Sequence, residues 1–247
     1  MARVGWKVAL GTGLVFISIA VFGLHLLLFH DAHWLEKYLV FHLGFLPIEV
    51  ILVTLILDHL IEMRERRERL EKMNMVIGLF FSEIGTSLLR MMVIEDRSAS
   101  ELRSCLRITG QCKPDDFIRI RQTMKGHEFR AEFDAGELSA IKELLCSKRP
   151  TLVRLLENPV LLEHEAFTSL LRAVFHLAEE LDYRGPLDQL PDSDIAHLSK
   201  DTSRAYELLA LQWLDYIQYL EGHYPYLFSL ALRTNPFDEK ASVVVVD

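Results

Sequence analysis

The sequence predicts an all-α protein in which an N-terminal two-helix transmembrane hairpin precedes a cytosolic α-helical bundle. Three observations favour this class: an uneven distribution of charge, apolar residues at helical spacing, and short breaks that contain Gly and Pro. Of 247 residues, 50% are hydrophobic, yet residues 1–61 hold only three of the 27 Lys and Arg and four of the 35 Asp and Glu. The chain therefore combines a membrane-like segment with an acidic remainder.

The first predicted transmembrane helix covers residues 8–29, which carry no formal charge. At about 1.5 Å per residue this length crosses a hydrocarbon core of about 30 Å. Arg3 and Lys7 precede the helix as in a signal peptide, but the apolar segment is too long and no cleavage motif comes before His30. We therefore expect a permanent anchor.

The second predicted transmembrane helix covers residues 39–61, after a connection formed by residues 30–38. Lys37 is the one Lys or Arg in that connection, whereas such residues flank the hairpin on its other side. The flanking residues are Arg3, Lys7, Arg64, Arg66, Arg67, Arg69 and Lys72. Because Lys and Arg concentrate on the cytoplasmic side, we expect a protein of the cytoplasmic membrane with both termini and the main domain in the cytoplasm.

Two polar residues interrupt the second span. Glu49 lies near the expected bilayer centre, and His42 lies seven residues earlier on the same helical face. A carboxylate at that depth costs at least ~2.5 kcal/mol on insertion scales, so it is expected to be protonated, paired or in contact with water or protein. One interpretation is an ion or proton pathway lined by Glu49 and His42. The other is a neutral Glu that is hydrogen-bonded to the neighbouring helix, close to a kink at Pro47.

Residues 62–94 are predicted to continue the second span as a juxtamembrane helix with a heptad pattern. The predicted oligomer seam consists of Met63, Arg67, Leu70, Asn74, Ile77, Phe81 and Ile84. If identical helices meet along this seam, the protein is a homo-oligomer; if its own helices cover the seam, these residues belong to the core. The core interpretation is favoured for the cytosolic half. The alternative for residues 74–94 is a third membrane segment.

Residues 95–237 are predicted to form the cytosolic helical bundle, and residues 238–247 a disordered tail. Helix starts are indicated by a capping box from Ser98 to Glu101, by Pro114 and by Asp134. The longest helix of the bundle is predicted over residues 193–222.

The bundle offers little chemistry in its sequence, which has no Gly-rich phosphate loop, no Gly-x-Ser-x-Gly and no Cys-x-x-Cys. Three cysteines give no disulfide framework, and a net charge of −8 argues against nucleic-acid binding. Three histidines of the bundle, His164, His176 and His197, have acidic neighbours and are interpreted as lying on solvated faces, so neither a metal nor a cofactor is predicted. A local basic patch is a candidate contact for anionic lipid or an acidic protein partner. It consists of Arg119, Arg121, Lys125 and Arg130.

Four short stretches carry a resemblance to a known group of proteins. They are Phe45-Leu-Pro-Ile-Glu-Val50, Asn74-Met-Val-Ile-Gly78, Tyr224-Pro-Tyr226 and Arg233-Thr-Asn-Pro-Phe237. The chain resembles an uncharacterised family of prokaryotic integral membrane proteins with two predicted transmembrane helices and a cytosolic helical domain. The resemblance implies this layout and no activity.

The functional prediction is a membrane-anchored, non-enzymatic interaction, scaffold or sensor protein. It is expected to contact the lipid bilayer, to form homo-oligomers and to bind a cytosolic protein partner. The alternative is an oligomeric ion or proton channel lined by Glu49 and His42.

Overall fold

The structure is a computed structural model that describes residues 2–29, 31–107, 114–162 and 164–244. It divides into an N-terminal unit, Met1–Glu65, and a C-terminal unit, Arg66–Asp247. Every regular element in the described residues is helical, which confirms the predicted all-α class.

The N-terminal unit contains α1, Ala2–Phe29, and the first part of α2, Ala32–Phe80. The second helix begins before the predicted boundary at residue 39. The reason is a helix cap: the Asp31 carboxylate accepts a hydrogen bond from the Trp34 backbone N–H at 2.9 Å. The predicted connection over residues 30–38 is correspondingly shorter, with His30 outside the described residues. Pro47 lies inside α2 without ending it.

Apolar side chains of the N-terminal unit are exposed along both helices. Val40 and Leu43 are each 74% exposed, and Leu27 is 72% exposed. Over the most apolar stretch of each helix, none of the residues is buried inside the protein.

Residues 62–94, predicted as a juxtamembrane helix, are not one regular α-helix in the structure. A π-helical turn, Phe81–Gly85, separates α2 from α3, Thr86–Glu95. A Cβ atom at Gly85 would lie 2.7 Å from the Phe81 ring and 2.8 Å from the Phe80 ring, so glycine allows both rings to pack inward here. A π turn inserts one residue into the helical repeat, so the heptad register predicted through this segment does not continue unchanged.

The core of the C-terminal unit is organised around α10, Asp192–His223, which packs against α9, Glu165–Tyr183, and also against α3. Trp213 and Tyr206 of α10 are almost completely buried. This helix matches the one predicted over residues 193–222. The other helices of the unit are α4, Ser100–Leu106; α5, Pro114–Gly126; α6, Ala135–Ser147; α7, Arg149–Leu156; α8, Pro159–Leu162; and α11, Pro225–Arg233.

Two predicted helix starts differ in outcome. Asp134 caps α6 and forms a capping box with Glu137, with N–H to carboxylate distances of 2.8 and 2.7 Å. The capping box predicted from Ser98 is wrong, because Ser98 donates from its N–H and its hydroxyl to the Asp96 carboxylate, and α4 begins at Ser100 without a side-chain cap.

The predicted disordered tail makes contacts where the structure describes it, up to residue 244. Asp238 pairs with Arg107 at 3.5 Å, and Glu239 pairs with Arg103. Just before the tail, the Asn235 amide donates to the Leu106 carbonyl at 2.7 Å. These contacts hold the chain after α11 against the end of α4.

Candidate functional site

The polar residues of the predicted second span lie on an exposed helix surface. His42 stacks on Tyr38 with ring centroids 4.7 Å apart, and Tyr38 stacks on Trp34 at 5.3 Å. Trp34 in turn lies 4.8 Å from His25 of α1, so these rings connect the two helices. Glu49 is exposed. A pathway lined by Glu49 and His42 stays a prediction.

The seven residues of the predicted oligomer seam fall into two groups. Three are no more than 4% exposed within the core of the C-terminal unit: Ile77, Phe81 and Ile84. The other four are exposed or half-buried: Met63, Arg67, Leu70 and Asn74. A side chain enclosed by its own chain cannot also pack against a partner helix, so an oligomer seam is restricted to the second group. For that group it stays a prediction.

The arginines of the predicted basic patch lie beside carboxylates: Arg119 beside Asp116, Arg121 beside Asp215, and Arg130 beside Glu128. Lys125 is an exposed residue of α5. Pairing reduces the positive charge that the patch presents to an anionic partner. Binding of lipid or an acidic protein there stays a prediction.

A buried polar network is centred on Asp96, which is 2% exposed at the end of α3. Ser98 donates to Oδ1 of Asp96 from its N–H at 2.9 Å and its hydroxyl at 2.6 Å. Oδ2 lies 2.8 Å from Nε2 of His127 and accepts from the Tyr206 hydroxyl at 3.1 Å. Burial raises the pKa of Tyr206, and the charge of Asp96 raises it further, so the hydroxyl stays protonated. Both carboxylate oxygens are therefore satisfied.

His127 and Ser98 also line an open cavity of about 650 Å³. Burial raises the pKa of Glu95 in the cavity wall, and its hydrogen bond to Glu137 raises this pKa further. The Ser98 hydroxyl donates to Asp96 rather than to His127, so these side chains do not form an activated nucleophile with its base. The network acts as a structural link between α3, the end of α5 and α10.

Two facing helices bring four metal-ligating side chains together. His176 and Glu180 lie one turn apart on α9, and His197 and Asp201 lie one turn apart on α10. Nε2 of His197 is 3.4 Å from Oδ2 of Asp201 and 3.8 Å from Oε2 of Glu180. Nε2 of His176 is 3.7 Å from the same Asp201 oxygen. We call these four residues the α9–α10 cluster.

Arg184 occupies one side of the α9–α10 cluster. Its Nη1 is 2.6 Å from Oε2 of Glu180, while its Nε and Nη2 donate to the Asp194 carboxylate at 2.6 and 2.9 Å. The hydrogen bonds from Arg184 lower the pKa of Glu180 and of Asp194, and those carboxylates raise the pKa of Arg184. Glu180 is therefore a carboxylate at neutral pH.

Asp201 is the member of the cluster that has too few partners. Its side chain is 19% exposed, and its Oδ2 atom is buried without a hydrogen-bond partner among the described residues. The two histidine nitrogens nearest to this oxygen do not donate to it in hydrogen-bonding geometry. A bound cation would satisfy it.

Family models match both parts of the chain. The model described as "Uncharacterized protein MJ1433, C-terminal helical domain" matches residues 69–233, and "MJ1433, N-terminal helical domain" matches residues 2–61. The chain belongs to the MJ1433 family. "Uncharacterized protein MJ1433" of Methanocaldococcus jannaschii is 42% identical over 234 residues, which cover 95% of this chain and 94% of that protein. No solved structure matches the chain.

Sequence reasoning missed two polar groupings in this MJ1433-family chain. The Asp96 network joins Asp96 to His127, which is 31 residues later, and to Tyr206, which is 110 residues later. No local sequence pattern connects residues so far apart. In the sequence, His176 and His197 stand out only separately, as histidines with acidic neighbours. Their repeated four-residue spacing, His-x-x-x-Glu on α9 and His-x-x-x-Asp on α10, is the signal that could have joined them.

Proposed function

We propose that the protein is anchored in a membrane by α1 and the N-terminal part of α2, and acts through its C-terminal unit as a non-enzymatic interaction, scaffold or sensor protein. The observation that carries this proposal is the exposure of apolar side chains in the N-terminal unit, where no residue of the two most apolar stretches is buried. Exposed apolar surface on that scale is unfavourable in water and favourable in lipid.

Neither a soluble core helix nor a cleaved signal sequence accounts for both apolar helices. The core helix of a soluble protein buries its apolar residues, whereas Val40 and Leu43 are each 74% exposed. A cleaved signal sequence would account for α1 alone. It would not account for the apolar start of α2, a helix that runs on to Phe80.

The orientation that we propose places both termini and the C-terminal unit in the cytoplasm. Its support is the Lys and Arg distribution, which is sparse between the two apolar stretches and dense after the second. The non-enzymatic role is supported by the Asp96 network, in which the Ser98 hydroxyl donates to Asp96 and not to His127.

Membrane extraction and labelling test the anchor and its orientation separately. We expect the full chain to stay in the membrane pellet after alkaline carbonate, and release into the supernatant would overturn the anchor. With the native cysteines replaced by Ser, Trp34→Cys should react with an impermeant maleimide in intact spheroplasts. Tyr183→Cys, at a side chain that is 83% exposed, should react only after lysis. The reverse labelling pattern would contradict the orientation and leave the anchor standing.

Self-association through the exposed part of the seam belongs to the same proposal. Leu70 is 47% exposed on α2, and two apolar side chains of neighbouring copies can bury each other there. In the same cysteine-free background, Leu70→Cys should give cross-linked dimers in membranes. Glu68→Cys, on the opposite face of the helix, is the matched control and should not. Equal cross-linking at both positions, or none at Leu70→Cys, would contradict the seam.

The channel alternative is favoured by one observation, the exposure of Glu49 on an otherwise apolar stretch of α2. In a membrane, that carboxylate is less costly beside water or protein than beside lipid. Proteoliposomes should then conduct protons or cations, and Glu49→Gln should reduce the flux while Asp58→Asn on the same helix does not. Flux no greater than in empty liposomes would remove this alternative.

A further inference from the structure

The α9–α10 cluster has the donor chemistry of a transition-metal site. Imidazole nitrogens and carboxylate oxygens together suit Zn²⁺ and its neighbours in the first transition row, whereas Mg²⁺ and Ca²⁺ prefer oxygen ligands alone. Two imidazoles and two carboxylates, from residues spaced one turn apart on two packed helices, lie on facing surfaces, and three of these side chains form a compact group. Ligand atoms of Glu180, His197 and Asp201 all lie within 4.8 Å of one another.

Three separations between these atoms are closer to the edges of a coordination tetrahedron than to ordinary hydrogen-bond lengths. Zinc bonds to nitrogen and oxygen of about 2.0 to 2.2 Å place neighbouring ligand atoms about 3.3 to 3.6 Å apart in a tetrahedron. The observed separations are 3.4 Å from His197 to Asp201, 3.7 Å from His176 to Asp201 and 3.8 Å from His197 to Glu180. Small side-chain movements would close Glu180, His197 and Asp201 around one ion, and a larger rotation would bring in His176, which lies outside this group of three.

A second, independent observation is the buried Oδ2 of Asp201. A buried carboxylate oxygen without a donor is unfavourable, and it usually marks a missing partner. This oxygen is common to the contacts from both histidines. It therefore points to the place that an ion would occupy.

We propose that Glu180, His197 and Asp201 bind a zinc-like divalent transition-metal ion between α9 and α10, with His176 completing the site. Arg184 keeps Glu180 in place through its 2.6 Å contact and acts as a positioning residue. The bound ion joins the two most extensively packed helices of the C-terminal unit. Binding to the folded state alone stabilises that state, so the Tm should rise with the free-ion concentration. The site does not depend on membrane anchoring.

Metal titration of the detergent-solubilised full chain, after removal of bound ions with a chelator, tests the proposal. Calorimetry should show one Zn²⁺ bound with a Kd in the micromolar range or lower, and Mg²⁺ should not compete. Co²⁺ should give the intense visible absorption of a four-coordinate site. Zn²⁺ should also raise the Tm of the C-terminal unit.

Three variants locate the ion, and a fourth variant is the control. His176→Gln, His197→Gln and Asp201→Asn should each weaken Zn²⁺ binding at least tenfold and remove the Co²⁺ absorption. The histidine positions are 57% and 51% exposed, so their substitution should leave the fold intact. His223→Gln, at the exposed C-terminal end of α10, should bind as the parent does. Absence of Zn²⁺ binding to the parent chain, or unchanged binding in folded His197→Gln and Asp201→Asn, would overturn the site.

Discussion

The two units contain the same kinds of apolar side chain in opposite surroundings. In the N-terminal unit, Leu52 is 58% exposed, whereas in the C-terminal unit, Leu170 is completely buried. Both are helical leucines, so helix propensity does not distinguish them. Among the described residues, the C-terminal unit buries its apolar side chains against one another, whereas the N-terminal unit leaves them exposed.

The largest effect expected from this comparison comes from truncating one leucine in each unit. Leu170→Ala should lower the free energy of unfolding of the C-terminal unit by about 2 to 5 kcal/mol, because it leaves a cavity in the core. Leu52→Ala should change that free energy by less than about 0.5 kcal/mol. Near-ultraviolet circular dichroism of the detergent-solubilised chain follows the unfolding. Equal losses for both variants would mean that Leu52 supports the same core.

Buried polar groups provide the second test. Asp96→Asn should destabilise the C-terminal unit by about 1 to 3 kcal/mol. The substitution replaces one of the two carboxylate oxygens with an amide nitrogen, which cannot accept the hydrogen bonds now made to that oxygen. Asp58→Asn, at an exposed position of the N-terminal unit, should have almost no effect on the same unfolding transition. Chemical denaturation at fixed pH measures both. An Asp96→Asn variant as stable as the parent would show that the network contributes specificity rather than stability.

Two glycine-to-alanine substitutions compare how closely other atoms approach the backbone in the two units. Gly85→Ala should cost about 1 to 3 kcal/mol, because its Cβ would overlap the rings of Phe80 and Phe81. Gly44→Ala, in α2 of the N-terminal unit, meets no atom within 4 Å and should be neutral or slightly stabilising. Thermal unfolding of the two variants distinguishes them. If Gly85→Ala had no effect on stability, the π turn would have to rearrange around the added methyl group without loss of stability.

The smallest expected effect concerns charge at the surface of the C-terminal unit. Arg184→Gln should lower the Tm at neutral pH by about 2 °C, since Glu180 and Asp194 lose their shared partner. Arg184 lowers the pKa of both carboxyls in the folded state, so its stabilisation is present above their ordinary pKa values and is lost as they become protonated. The difference in Tm between variant and parent should therefore disappear as the pH falls below about 4. A difference that stayed constant down to acid pH would indicate lost packing instead of lost charge pairing.

Sequence patterns predict the helices better than the contacts between them. Helical spacing of apolar residues and local signals such as Asp134 identify most of the C-terminal unit, because those signals act within one or two turns. The predicted start of α2 is misplaced because the single capping residue Asp31 outweighs a polar stretch that resembles a loop. The π turn has no local signal, because it depends on how the Phe80 and Phe81 rings pack.

Local sequence patterns do not predict the candidate metal site, because the site depends on how two helices pack together. His176 and Glu180 predict one exposed helix face, and His197 and Asp201 predict another. Only the antiparallel packing of α9 on α10 makes these two faces meet. The sequence separates the pairs by a break that contains Pro186 and Pro191, and nothing in that break specifies the register between the helices.

The position of α10 along the chain has a consequence for biosynthesis. This helix begins at Asp192 and supplies the partner surface for α3, α5, α6, α9 and α11. A ribosome therefore completes the apolar helices α1 and α2 long before it releases the segment that closes the C-terminal core. Until then, the inward faces of α3 and α9 lack their main partner and are open to chaperones and proteases. A nascent chain that stalls before residue 192 would carry its apolar N-terminal helices with an unfinished domain attached.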